Sequence, residues 1–105
     1  MIVMVTMTYP TTSAVEMGKA GAKNFQEHPL PGFMKLTGPY ITICEEGCKA
    51  YNIIEIEEGK EDEAFKVINT RMANYLPVPG FRSREERLLI MGEAYPLIGM
   101  KAPQV

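Results

Sequence analysis

The sequence predicts one α+β domain with the element order β-α-β-β-α-β, and three observations carry that prediction. Residues 2–9 and 49–57 have strand composition, with apolar side chains on both alternating faces. Residues 14–27 and the stretch from Glu61 to Leu76 repeat apolar residues at helical spacing. Finally, Pro29-Leu30-Pro31-Gly32-Phe33 returns 48 positions later as Pro77-Val78-Pro79-Gly80-Phe81, each copy following a helix and preceding a strand. The 105 residues suit a single domain spanning 1–105.

The first strand, IVMVTMTY, turns Ile2 and Met4 one way and Val3, Val5, Met7 and Tyr9 the other, and Pro10 ends it. Ser13 and Glu16 fit a capping box for the first helix. Its expected buried stripe is Ala14, Met17, Gly21 and Phe25, with Gly18 and Gly21 permitting close approach to the sheet. The second strand, MKLTGPYITIC, carries Gly38-Pro39 and so belongs at a sheet edge or at a bulge. Glu45-Glu46-Gly47 reads as a hairpin loop leading into KAYNIIEIE, whose faces are Tyr51, Ile53, Glu55 against Asn52, Ile54, Ile56.

Glu61, Asp62 and Glu63 place negative charge at the start of the second helix, where its dipole favours it. Phe65, Ile68, Met72, Tyr75 and Leu76 mark its buried side. The last strand is expected at about residues 85–94, centred on Leu88-Leu89-Ile90-Met91. The tail, 95–105, keeps Leu97, Ile98 and Met100 and is expected to pack on the domain or on a dimer partner.

In each repeat copy the first proline ends a helix, the second stiffens the connector, the glycine permits a tight turn and the phenylalanine anchors it. Two such halves give the ferredoxin-like βαββαβ order: a four-stranded antiparallel sheet with two helices on one face. Right-handed crossovers place the first and third strands at its centre. The face without helices would then show Ile, Val, Met and Tyr to water, more than a monomer normally exposes. A second copy, packed sheet to sheet about a twofold axis, is the simplest cover.

With that architecture, with Met4-Val5-Thr6 in the opening strand and Ile54-Glu55-Ile56-Glu57 ending the third, the chain resembles the dimeric α+β barrel proteins, and among them the small uncharacterised single-domain members. The resemblance implies a homodimer with a pocket in each subunit or at the joint. The group holds cofactor-independent monooxygenases of aromatic substrates, haem-degrading enzymes, muconolactone isomerase-like enzymes, stress-responsive proteins and amino-acid-sensing regulators, so it implies no single activity.

Composition narrows the field. Apolar residues are 46% and charged residues 23%, the balance of a folded globule. A net charge of −2 gives no electrostatic reason to bind nucleic acid or an anionic membrane. No apolar run reaches the roughly 18 residues of a membrane span. The opening MIVMVTMTYP lacks the basic flank and cleavage site of a signal peptide, so a reducing, cytoplasmic setting is expected. Cys44 and Cys48 then read as free thiols, a reversible disulfide or two metal ligands. The missing second ligand pair argues against metal, and Glu45 and Glu46 argue against a reactive thiolate.

The candidate chemistry is sparse. His28 is the one histidine and reads as a helix C-terminal cap or as a general base at a pocket mouth. Glu55 is either a half-buried base or the partner of Arg71 or Arg87, the ion pair being favoured. Tyr9, Tyr40, Tyr51 and Asn52 are the candidate ligand-binding residues of a cavity between sheet and helices, against an ordinary packing role. Arg82, Arg84 and Arg87 interleave with Glu85 and Glu86 and read as solvated surface. No cofactor and no metal site are expected. The resulting expectation is a homodimer binding a small apolar or aromatic molecule. The alternatives are a cofactor-independent monooxygenase or isomerase of a small aromatic substrate, and a purely structural or assembly role.

Overall fold

Alternation of β-branched and long apolar side chains makes Ile2–Tyr9 a strand, β1, and its paired neighbours decide which side chains are buried. The structure, a computed structural model, describes residues 1–104. The remaining strands are β2, Met34–Cys44; β3, Gly47–Ile56; and β4, Arg82–Leu88. All pairings are antiparallel and the order is β2-β3-β1-β4, so the first and third strands are central, as expected. Three α-helices complete an α+β architecture: α1, Ala14–Glu27; α2, Glu61–Ala73; and a short α3, Met91–Ala94.

Val3, Val5, Met7 and Tyr9 of β1 share a face with Ala50, Asn52, Ile54 and Ile56 of β3, and all are buried. From the helices, Met17, Ala64 and Ile68 close on that face, with Tyr75 and Val78 just beyond α2. Each fully buried Val or Ile contributes about 1.5–3 kcal/mol, so this layer is the main source of stability. The opposite, open face carries Ile2, Met4, Thr6 and Thr8 of β1 beside Glu55, Ile53, Tyr51 and Lys49 of β3. It holds no valine of β1 and is polar at one end, so it is less apolar than the sequence suggested.

Several expectations are corrected. Ser13 does not cap α1 through its side chain. Its hydroxyl instead donates to the Pro79 carbonyl at 2.7 Å, tying the start of the first helix to the second Pro-x-Pro-Gly-Phe turn. The buried face of α1 is centred on Met17 and Asn24, and Phe25 is 55% exposed. Asn24 wins the interior because α2 supplies hydrogen-bond partners that a sequence stripe does not reveal. Leu76 is likewise exposed, while Ala64, outside the expected stripe, is fully buried.

The last strand starts earlier than its apolar run. β4 is the charged segment, an edge strand whose backbone pairs with β1 from Ile2↔Leu88 to Thr8↔Arg82. Charge along an edge discourages further strand addition. The apolar residues that follow form α3, where the Ile90 N–H donates to the Glu93 carboxylate at 3.3 Å, and a 3₁₀ turn over Tyr95–Ile98. Three apolar side chains of the tail stand in solvent within the subunit: Leu97 is 76% exposed, and Ile98 and Met100 are exposed too. The Cα radius of gyration is 15.8 Å, against about 13 Å for a compact domain of this length.

β2 is the other edge, with a register shift between Thr37 and Tyr40 around a cis Gly38–Pro39 bond. The hairpin loop is two residues, not three: Cys44 faces Gly47, and Cys48 faces Ile43. The two thiols therefore lie on opposite faces of the sheet, and both are free. Gly47 is needed there, since its φ is +125° and a Cβ would stand 2.7 Å from the Tyr9 carbonyl oxygen.

The repeated turns are alike in sequence but not in demand. Gly80 has φ +75°, and a Cβ would meet the Pro10 ring at 2.7 Å; Gly32 has neither constraint. Gly80→Ala is therefore expected to cost about 1–3 kcal/mol and Gly32→Ala almost nothing. Urea unfolding of the two variants checks this, and equal costs would refute the distinction. Phe81 stacks on Tyr75 with ring centroids 5.5 Å apart, and Phe33 packs against the core edge.

Candidate functional site

Between α1 and the sheet the core stops short and leaves a cleft. Its outer chamber, about 310 Å³, has Met7, Tyr9, Ala50 and Asn52 as floor and Met17, Gly18 and Gly21 as roof. Its inner recess, about 50 Å³, runs toward Val5, Ile54, Ile68 and Met72. Met7, Leu36, Asn52, Arg71 and Tyr75 line both, so the two are continuous. The volume falls at the lower end of the range of small-molecule sites, about 300–1,000 Å³.

Small residues of α1 make this space. A Cβ at Gly18 would meet nothing within 4 Å, and one at Gly21 would meet only the Tyr75 hydroxyl, at 3.5 Å. The two glycines do not bring helix and sheet together, as the sequence suggested. They leave room, at a helical cost of about 1 kcal/mol each relative to alanine. Protein interiors are otherwise filled to crystal-like density, so unfilled apolar space beside the core needs a reason.

The polar groups of the cleft are few and held. Asn52, 8% exposed on β3, donates from Nδ2 to the Val5 carbonyl at 3.2 Å, the one hydrogen bond of its side chain among the described residues. Its second N–H and its Oδ1 have no partner among the described residues. Arg71 lies in the last turn of α2, and its guanidinium lies 5.0 Å from the centre of the Phe25 ring. Burial pushes the guanidinium below its ordinary pKa, with the Tyr75 hydroxyl acting the other way. It remains cationic at neutral pH. Among the described residues no carboxylate forms an ion pair with it.

The Arg71 backbone is fixed by a polar bridge between the helices. Fully buried Asn24 donates to the Arg71 carbonyl at 3.0 Å and accepts from the Asn74 side chain at 2.7 Å. Tyr9 closes the far end of the floor, its phenol pushed above the usual tyrosine range by burial and by neighbouring Cys48.

The structure divides the residues singled out from sequence. Tyr9 and Asn52 line the cleft. Tyr40 and Tyr51 face each other across β2 and β3 on the open side of the sheet, and Tyr51 joins Lys49, Arg82 and Arg84 in a shallow polar concavity there. His28 is the partly buried C-cap of α1, its N–H donating to the Asn24 carbonyl at 2.9 Å, and it lines neither chamber. Glu55 is exposed on the open face and pairs with Lys35 at 3.9 Å, not with Arg71 or Arg87. Arg87 pairs with Glu93 at 4.0 Å. The sequence reading missed Arg71 as a cleft residue. Its signal was its place one turn before Tyr75 on the apolar side of α2, where a cation has no solvated reason to be.

Among the described residues no three His, Cys, Asp or Glu side chains gather as a metal ion requires. No helix among them is long and apolar enough to cross a membrane. Comparison with protein-family models, with curated proteins and with solved structures finds no match to this chain.

Proposed function

We propose that this protein is a small-molecule binding module. It takes one apolar or aromatic molecule in the cleft between sheet and helices, in a homodimer joined through the open sheet faces as in a dimeric α+β barrel of ferredoxin-like subunits. The observation that carries the binding reading is the outer chamber: apolar walls, glycine where a side chain would fill the space, and Asn52 and Arg71 as polar groups in the lining. Apolar walls with a few placed polar groups are the usual make-up of a ligand pocket. The dimer is supported by the apolar half of the open face, formed by Ile2, Met4, Tyr51 and Ile53, and by the exposed Leu97, Ile98 and Met100 of the tail. Binding is favoured over an isomerase or oxygenase activity because His28 and Glu55, the two candidate bases, stand outside the cleft.

Filling the roof tests the reading. Gly21→Leu improves helix propensity by up to about 1 kcal/mol, so the variant is expected to fold at least as well as the parent. Its side chain occupies the chamber. The neutral fluorescent probe N-phenyl-1-naphthylamine is expected to bind the parent with a blue-shifted emission and to lose at least about tenfold in affinity in the variant. Equal binding by both, or no binding by the parent, removes the cleft as the site.

A further inference from the structure

Resting on the cleft as the binding site, we infer that its ligand carries a single carboxylate, held by the Arg71 guanidinium and the Asn52 amide, with an apolar or aromatic body in the outer chamber. Three features lead there. Arg71 is partly withdrawn from water, yet among the described residues no side-chain carboxylate answers it, whereas Arg87 and Lys35 on the surface each have one. A cation kept out of water without a counter-charge is costly, and an anionic ligand relieves that cost. The Asn24–Asn74 bridge fixes the backbone from which Arg71 projects, so that part of the site is in place before the ligand arrives. Asn52 is buried by more than nine-tenths and uses one N–H internally, leaving its second N–H to donate to an oxygen of the ligand.

The charge count selects the anion. Among the described residues Arg71 is the one charged residue lining either chamber, so a monoanion is neutralised and a dianionic phosphate would leave a net negative charge among apolar walls. The planar guanidinium matches a carboxylate through two parallel N–H···O bonds. Phe25, whose ring already lies under Arg71, and Met7, Met17 and Ile41 are then the surfaces for the body of the ligand.

The test compares 3-phenylpropionate with its neutral isostere 3-phenylpropanamide, each displacing N-phenyl-1-naphthylamine from the full-length protein at neutral pH. The acid is expected to bind about tenfold or more tightly than the amide, as charge-assisted hydrogen bonds require. Arg71→Gln, and separately Arg71→Met, should bring that ratio to near one while probe binding persists, which also shows that each variant is folded. Equal binding of acid and amide by the parent, or a ratio unchanged in both variants, overturns the carboxylate while leaving the cleft as a site. Failure of the probe itself to bind the parent overturns the cleft and the carboxylate together.

Discussion

Asn24→Leu is expected to lower the unfolding free energy by about 2–5 kcal/mol, the cost of leaving two interior polar partners unsatisfied. Asn24 is fully buried, and both ends of its amide are used, one on the Arg71 carbonyl and one on the Asn74 side chain. The substitution conserves volume, so the loss comes from hydrogen bonding and not from a cavity. For a domain of this size it amounts to a fall in melting temperature of roughly 10–30 °C. Asn74→Ala alone should cost about 1 kcal/mol, since Asn74 is only partly buried and water can replace part of the bond. The double variant should cost less than the two singles together, because both remove the same 2.7 Å contact. Urea unfolding of the four proteins measures this. Additive costs, or a loss under about 1 kcal/mol for Asn24→Leu, would show that α1 and α2 are joined by something other than this bridge.

The second large effect is on assembly. Ile53→Asp is expected to convert the proposed homodimer to monomer, and Met4→Asp to do the same. The two residues pair directly across β1 and β3 on the open face, at the middle of its apolar half. A twofold axis through that face brings each new carboxylate into the joint twice. An unpartnered buried charge costs about 3–5 kcal/mol, enough to weaken the dimer by a thousandfold or more. Neither side chain faces the helices, so the fold of each subunit should survive, as circular dichroism can verify. Sedimentation velocity reads the result. A parent that sediments as a monomer, or variants that sediment like a dimeric parent, would overturn the proposed joint.

These two predictions also mark how far one-dimensional reading goes. Alternation set Met4 apart from Val3 and Val5, and Ile53 apart from Asn52 and Ile54, because backbone geometry fixes it within each strand; the β1–β3 pairing then puts the two side by side. Asn24 was not found, because apolar periodicity ranks Phe25 above an amide. The decisive partners, Arg71 and Asn74, lie on another helix, 47 and 50 residues away. Glu55 shows the same limit. Its strand and face were legible, but its partner is Lys35 on the adjacent strand, reached only once β2 and β3 are in register.

The candidate site was half legible. Tyr9 and Asn52 were picked because a polar tip on an otherwise apolar strand stands out, and both line the cleft. Tyr40 and Tyr51 were picked by the same rule, but they lie on the open face: residue type does not say which side of a sheet bounds a cavity. Gly18 and Gly21 were noticed for the right reason, an unfavourable helix position, and given the opposite use. Only the separation between helix and sheet distinguishes close packing from empty space.

By itself the chain determined the order of its elements, the two central strands and the antiparallel pairing around them. Alternation, helical spacing and Pro-Gly punctuation are local signals that each segment carries alone. What tertiary structure decided was which charges pair, that the charged stretch before Leu88 and not the apolar run after it completes the sheet, and that Arg71 faces a cleft without a counter-charge. Those outcomes depend on distances between segments far apart in the chain, and such distances exist only after the layers have packed.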